Sequence, residues 1–418
     1  MLRKAGSLFA NRTNWDLTPN PLSLALAERR AAGLPVIDLT ASNPTECGFT
    51  YEGEAILAAL ANPASLTYEP DPRGLLTARE AVCEYYRARG DRVSAENIAL
   101  TTSTSEAYSY AFRLLCNPGD EILVPQPSYP LFDFLADLQD VRLVRYPLLY
   151  DHGWQIDFHA LQQAITPRTR GVIVVNPNNP TGHFCKPAEI TQLNQICAAS
   201  GLAIIADEVF LDYAWEESTA RSFATNLEAM TFTLSGISKI SGLPQMKAAW
   251  LVTSGPEATQ HEASARLEVM ADAYLSINAP IQHALPEFLR QRQAFQSQLR
   301  SRAAANLAEL DRQLARYGEL ADDASRVDHP QSAGICVRLQ VEGGWYVTLL
   351  LPANHSSEDF VMRLLRDHGI YVHPGHYYEF ANDRAVVLSL LTPPRDFVAA
   401  FQTLLNAATR NIAPSEPI

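Results

Sequence analysis

The sequence predicts an α/β fold: a mostly parallel sheet wrapped by helices, followed by a smaller α+β domain. Two observations carry that expectation. From about residue 75 to 250, short apolar runs alternate with amphipathic segments, the repeat expected of strand–helix–strand units in a parallel sheet. Beyond that stretch, one long helical pattern gives way to short strands interleaved with two further helices.

In chain order, a helix is expected in "LLTAREAVCEYYRARG" and a strand in "NIALTT". A helix in "SEAYSYAFRLLC", a turn at "NPGD" and a strand in "EILVP" come next. "GVIVVNP" reads as a buried strand, "KPAEITQLNQICAASG" as a helix ending at Gly201, and "LAIIADEV" and "TFTLSG" as two more strands. The segment "PEFLRQRQAFQSQLRSRAAANLAELDRQLARYG" places Phe295, Leu299, Ala303, Leu307, Leu310 and Leu314 at three- and four-residue steps, with Gly318 as its expected C-terminal cap. Strands are then expected in "GICVRLQ", "GGWYVTLLLP", "IYVHPG" and "AVVLSLL", and helices in "SSEDFVMRLLRDHG" and "PRDFVAAFQTLLNAAT". The tail "APSEPI" reads as loose. The expected organisation is an N-terminal segment (1–49) packing with the small domain, a large domain (50–300) and a small α+β domain (301–418).

Composition narrows the function classes. Lys plus Arg number 33 against 46 Asp plus Glu, a formal charge of −13, which argues against broad contact with nucleic acid or anionic membranes. A small anionic ligand held by a local positive site remains compatible with it. The six cysteines are scattered without metal-type spacing and read as reduced, buried thiols. The N-terminal "MLRKAGSLFANRTNWDLTPN" lacks the apolar core of a signal peptide, and no apolar run approaches a membrane span. A cytoplasmic location is the expectation.

In parallel α/β sheets, ligands bind outside the carboxyl ends of the strands. The residues there are "TTSTSE" (101–106), "PQPSYP" (125–130), "NPNNPTG" (176–182), "DEVF" (207–210) and "SGISK" (235–239). Each alone has an ordinary reading: turn serines, a loop tyrosine, an Asn-Pro turn, a solvated acid, a surface lysine. Five together, at successive strand ends, point to pyridoxal phosphate. The Lys239 amine suits a Schiff base with an aldehyde and later proton transfer. Asp207 suits a protonated pyridine nitrogen, Asn179 a ring oxygen, and Tyr129 the ring face. Ser103, Thr104 and Ser105 open a helix whose hydroxyls and N–H groups suit a phosphate, with Lys247 as a countercharge.

These motifs, in this order, resemble those of the class I/II aminotransferases among the fold-type I pyridoxal-phosphate enzymes. The resemblance extends through "TYEPDPRGLLTARE" (67–80), "GDEILVPQPSYP" (119–130) and "HPGHYYEF" (373–380). It implies Lys239 as the Schiff-base lysine, Asp207 at the pyridine nitrogen, Asn179 at the ring hydroxyl and Tyr129 stacked on the ring. It also implies Ser103, Thr104 and Ser238 at the phosphate, and Tyr68 reaching the phosphate site of a second subunit in a homodimer. The implied reaction moves an amino group from an amino acid or related amine to an oxo acid. Alternatives on the same cofactor are a carbon–sulfur lyase, a decarboxylase or a synthase; a non-catalytic cofactor-binding regulator is the alternative outside enzymes. A nicotinamide oxidoreductase is disfavoured because no GxGxxG follows a strand.

Four positions depart from the family pattern. Phe210 stands where a tyrosine usually donates to the cofactor's ring oxygen, so a raised Schiff-base pKa is expected; whether Tyr213 substitutes is open. Lys247 replaces a phosphate-clamping arginine, supplying charge without the bidentate fork. Gly236 replaces a serine, with Ser235 beside it. Val387, in "AVVLSLL", stands where an arginine usually clamps the substrate carboxylate, and Arg384 reads as a surface residue. Such a bidentate pair is worth roughly 1.5–3 kcal/mol.

Three smaller readings complete the sequence. His373 and His376 of "HPGH" are read as turn residues, with no metal site expected. "GGWYV" (343–347) is read as a turn entering a strand, or as part of the pocket mouth. Asn43 either meets substrate or shapes an Asn-Pro turn.

Overall fold

The computed structural model describes residues 8–216, 220–322 and 336–409. The tail "APSEPI" lies outside the described residues. The first strand, β1 (Ile37–Asp38), precedes eight strands of one large sheet: β2 (Ile98–Thr101), β3 (Glu121–Gln126), β4 (Arg142–Tyr150), β5 (Trp154–Ile156), β6 (Thr169–Val175), β7 (Ala203–Asp207), β8 (Thr231–Gly236) and β9 (Ala249–Ser254). Their spatial order is β2-β9-β8-β7-β6-β3-β4-β5.

The pairs from β4 through β3, β6 and β7 to β8 are parallel. β9 runs antiparallel to both β8 and β2. Two successive reversals restore the direction, so β2 ends at the same edge as β6, β7 and β8. That edge is where the motif residues gather. β6, β7 and β8 are almost fully buried, and their continuous Val/Ile/Leu/Ala runs suit strands covered on both faces.

Local signals place the flanking helices. Ser103 caps the helix Thr104–Leu115 by accepting from the Glu106 N–H at 3.2 Å. The helix Pro187–Ser200 starts with Pro187 in its first turn and closes at Gly201, whose φ of +64° is left-handed. That end is the expected one. The long pattern of residues 286–318 falls across two helices, Ala279–Arg290 and Arg292–Asp322. The second runs through Gly318, contrary to the expected stop: the helix keeps its i→i−4 ladder, and a single glycine costs it only about 1 kcal/mol. The expected boundary at residue 300 falls within this helix.

The smaller part contains β10 (Val337–Arg338), β11 (Tyr346–Leu350), β12 (Ile370–Tyr371), β13 (His373–Pro374) and β14 (Ala385–Ser389). Four of these form an antiparallel sheet, β10-β11-β14-β13. β12 pairs in parallel with β1, joining Ile37 to Ile370, so the N-terminal segment is tied to this part of the chain. Helices Ser357–His368 and Pro394–Thr409 share a core with it, through Phe360, Leu364, Phe397 and Phe401. Among the described residues, no helix is long and apolar enough to cross a membrane. The six cysteines are unpaired; five are buried and Cys116 is half-buried.

Candidate active site

The strand ends open onto a cavity of about 300 Å³, lined among others by Ser103, Thr104, Ser105, Tyr129, Asn179, Asp207, Ser238 and Lys239. Eight of the ten residues singled out for a cofactor thus converge on one space from five separate strand ends. Parallel strands deliver this convergence because their carboxyl ends share one edge.

Lys239 lies in a four-residue helix, Ile237–Ile240, directly after β8. Its Nζ sits 4.8 Å from the ring centroid of Trp345 and 5.7 Å from that of Phe210. Burial among these rings pushes the ammonium down to about 8, against the opposing pull of Asp207 and Cys47. An amine so placed is largely neutral in mildly alkaline solution, the form that attacks a carbonyl. Gly236, just before it, packs against the paired strand: a Cβ there would approach Ala249 Cβ at 2.8 Å and the Ala248 carbonyl at 3.0 Å. A side chain is excluded by contact. Ser235 points instead towards the Glu208 carbonyl, 3.4 Å away.

Asp207 ends β7, its carboxylate accepting from the Tyr108 hydroxyl at 3.0 Å and the Val209 N–H at 3.1 Å. Burial pushes it up to about 6 despite these two bonds. Tyr108 lies one helical turn after Thr104, and its ring also lines the cavity; the i, i+4 step was the sequence signal for it. Among the described residues, the Asn179 Oδ1 is buried with no hydrogen-bond partner. The first turn of the helix Thr104–Leu115 presents backbone N–H groups beside the hydroxyls of Ser103, Thr104 and Ser105. Glu106 turns away from that opening, holding the Thr102 N–H at 2.7 Å and its hydroxyl at 3.0 Å.

These donors and acceptors fit pyridoxal phosphate. The orphaned Asn179 oxygen needs a hydrogen-bond donor, which a ring hydroxyl can be, the desolvated carboxyl a cation, and the helix start an anion. An aldehyde belongs at Lys239. Each demand is met by one part of that molecule.

The other residues singled out in the sequence fall elsewhere. Tyr68 is 80% exposed and borders a second cavity with Glu69, Asp71 and Ser276. Lys247 is exposed, with a left-handed φ of +53°, and is outside the cavity lining. Asn43 caps a short turn, its Oδ1 accepting from the Thr45 N–H at 3.2 Å and hydroxyl at 2.8 Å; its neighbour Ser42 lines the cavity. Of the two readings of Asn43, the turn is the one observed. His373 meets the Tyr378 hydroxyl at 3.1 Å. Arg384 reaches the Leu351 carbonyl at 3.3 Å. Val387 is buried in β14, facing a cluster that includes Phe210, Trp345, Tyr346, Tyr378 and Leu391.

The "GGWYV" turn belongs to the site. Trp345 is fully buried against Phe210 and Lys239, and Tyr346 lines the cavity. The turn fits tightly between two loops of the large sheet. A Cβ on Gly343 would lie 2.8 Å from the Tyr213 carbonyl, and one on Gly182, whose φ is +72°, would lie 2.6 Å from the Gly343 carbonyl.

Known proteins resemble this chain in sequence and in fold. The profile of the family described as "Aminotransferase class I and II" matches residues 35–390. A glutamate-pyruvate aminotransferase, AlaA, of Escherichia coli K12 is 32% identical over 255 residues, covering 60% of this chain and 63% of the relative. An alanine aminotransferase of Mycobacterium tuberculosis is 29% identical over 271 residues, 63% of this chain and 62% of the relative. The matched regions therefore span under two thirds of these relatives' length. An aminotransferase crystal structure from Escherichia coli superposes with a TM-score of 0.77 at 26% identity, over 94% of this chain and 96% of the other. A Thermus thermophilus aspartate aminotransferase variant shares the fold, with a TM-score of 0.78 at 21% identity over 96% and 99% of the two chains.

Proposed function

We propose that this chain, which belongs to the aminotransferase class I and II family, is a pyridoxal-phosphate-dependent aminotransferase. It moves an amino group from an amino acid or related amine to an oxo acid. The observation that carries this reading is the placing of a desolvated lysine amine and a desolvated carboxyl, Lys239 and Asp207, in one cavity beside a helix start.

Pyridoxal phosphate, when bound, supplies an aldehyde and a protonatable ring that takes up the electron pair of a breaking carbon–hydrogen bond. Asp207 holds the proton on the ring nitrogen, with Tyr108 fixing its carboxylate. Asn179 satisfies the ring hydroxyl, Tyr129 covers the ring face, and Ser103, Thr104 and Ser238 bind the phosphate with the helix N–H groups. Lys239 is the base that carries the proton away from the amine-bearing carbon once a substrate amine has taken its place. Its desolvated amine, held at about 8, suits that task in mildly alkaline solution. Lys247 adds longer-range positive charge. Tyr68, exposed on this chain, reaches the phosphate site of a second copy in a homodimer.

Two measurements test the proposal. Borohydride reduction of the protein with pyridoxal phosphate should fix the cofactor covalently to Lys239, as read by peptide mass spectrometry, and should leave Lys239→Ala unmodified. Mixed pools of amines, amino acids and oxo acids should then yield a new amino compound with loss of the donor nitrogen. Modification at another lysine would overturn the assignment of Lys239. Release of carbon dioxide or sulfide without nitrogen transfer would point to the decarboxylase or lyase alternatives instead.

A further inference from the structure

The wall that faces the Lys239 amine is apolar and aromatic. Phe210 and Trp345 lie within 5.7 Å and 4.8 Å of Nζ, measured to ring centroids. Behind them, Tyr346, Tyr378, Val387 and Leu391 complete one buried cluster. A substrate amine must come to the place of that Nζ, so the groups on its carbon meet this wall.

Among the described residues that line the cavity, Lys239 is the sole cation. Four guanidinium groups outside the lining are engaged elsewhere. Arg302 donates to the Cys47 and Leu391 carbonyls at 2.9 and 3.1 Å and stacks on Phe49 at 4.6 Å. Arg145 binds Asp133 at 2.7 Å and Glu379 at 3.1 Å. Arg300 donates to the Asp212 carbonyl, and Arg384 to that of Leu351. A carboxylate on the reacting carbon would be desolvated beside the Phe210 and Tyr346 rings without a countercharge from the described lining of the cavity, a large penalty for a buried anion. The same surface rewards an uncharged group; its Ser42 and Tyr346 hydroxyls bond each other.

Resting on the aminotransferase reading above, we propose that the preferred amino donor is a primary amine whose amine-bearing carbon carries apolar or aromatic groups and no carboxylate. Val387, buried behind the rings of that wall, adds no charge to it. In the transfer, the donor's carbon–nitrogen bond is replaced by a carbonyl, giving a ketone or aldehyde. Water supplies the oxygen of that carbonyl; the nitrogen and the electron pair of the broken carbon–hydrogen bond would pass, by way of the bound cofactor, to an oxo acid, which releases its own oxygen as water and becomes an amino acid.

The test compares ligands that differ only in the disputed group. 2-Phenylpropionate and its amide lack the amine and cannot react, so calorimetry with the cofactor-loaded protein reads the wall alone. The amide should bind at least tenfold more tightly than the acid. Val387→Arg should shift that ratio at least tenfold towards the acid; should this variant fail to fold, the wild-type ratio carries the test. 1-Phenylethylamine and phenylglycine, a methyl-for-carboxylate pair, are then compared by single-turnover loss of the cofactor's long-wavelength band, with the amine expected at least tenfold faster. Tighter binding of the acid by the wild-type protein would overturn the inference while leaving transamination standing. Amide-selective binding with no nitrogen transfer from any donor would uphold the wall's preference and sink the aminotransferase reading.

Discussion

The hydroxyl of Tyr213 donates a 2.6 Å hydrogen bond to the main-chain carbonyl of Lys239. Tyr213 stands three residues after Phe210, and the hydroxyl missing at 210 is therefore present nearby but spent on the backbone. It does not stand in for a donor to a ring oxygen. Its place is behind the lysine, buried against Trp345 at 5.3 Å between centroids, where it fixes the short helix that aims the amine. Burial raises its own ionisation well above the ordinary phenol value, so it stays a donor throughout the working pH range.

Tyr213→Phe should therefore destabilise the protein by about 1–3 kcal/mol, the cost of leaving a buried carbonyl without its partner. Denaturant unfolding checks that figure. A purely structural role would stop there. A positioning role predicts in addition a slower borohydride-trappable reaction of Lys239 with pyridoxal phosphate at equal cofactor occupancy.

The residues at the strand ends were legible because period and place coincide. A buried parallel strand is an obvious apolar run, and chemistry belongs just after it, which exposed Asn179, Asp207 and Lys239. Residues brought in by packing gave no such signal. Ser42 and Tyr346 come from segments about three hundred residues apart, and Trp345 reads as an ordinary turn residue until Gly182 and Gly343 are seen to let two loops touch. β4 and β5 escaped notice because they sit at the sheet edge, where β4 is largely half-buried or exposed and lacks a clean apolar run. β9 escaped because its antiparallel return breaks the strand–helix rhythm.

That loop contact makes a second prediction. At Gly343 an added methyl meets the Tyr213 carbonyl at 2.8 Å as well as the Phe184 ring, and a main-chain carbonyl cannot swing aside as a side-chain tip can. Gly343→Ala should cost about 1–3 kcal/mol, in the range of overpacked core sites. It should also lift Trp345 from over Lys239. The amine then regains water, so its titration, followed by the pH dependence of aldehyde capture, should move upward from about 8. Unchanged titration in a destabilised variant would show that the turn does not govern the amine.

Burial of Lys239 also has a stability consequence. The folded protein holds the amine at about 8, against an unperturbed 10.5. Between these values the unfolded chain binds the extra proton, so the cofactor-free protein gains stability as pH rises from about 8 to 10.5 and loses that gain as pH falls back through 8. At pH 7 the charged amine is a burden on the order of 2–3 kcal/mol. Lys239→Met, which keeps the apolar stem, should melt at a higher temperature than the cofactor-free wild type at pH 7 and lack its alkaline gain. Equal melting of the two at pH 7 would mean that the amine is solvated in the folded state.

Asp207 predicts how cofactor affinity follows pH. Its carboxyl, held at about 6 by burial, is increasingly neutral below that value, and a neutral acid gives up most of its attraction for a protonated ring nitrogen. Affinity for pyridoxal phosphate should therefore fall as pH drops through 6. The ligand's own phosphate also titrates near 6, so the wild-type profile alone does not isolate the carboxyl. Asp207→Asn supplies the difference: the phosphate contribution is common to both proteins, and only the wild type keeps the carboxylate. At pH 7.5 the variant should bind about 10–100-fold more weakly, the worth of a buried charge-assisted hydrogen bond. The gap should narrow towards pH 5, where both proteins present a neutral group. Absorbance titrations across that range measure it, and a gap that stays constant from pH 7.5 to 5 would show that Asp207 remains ionised and that its hydrogen bonds from Tyr108 and Val209 outweigh its burial.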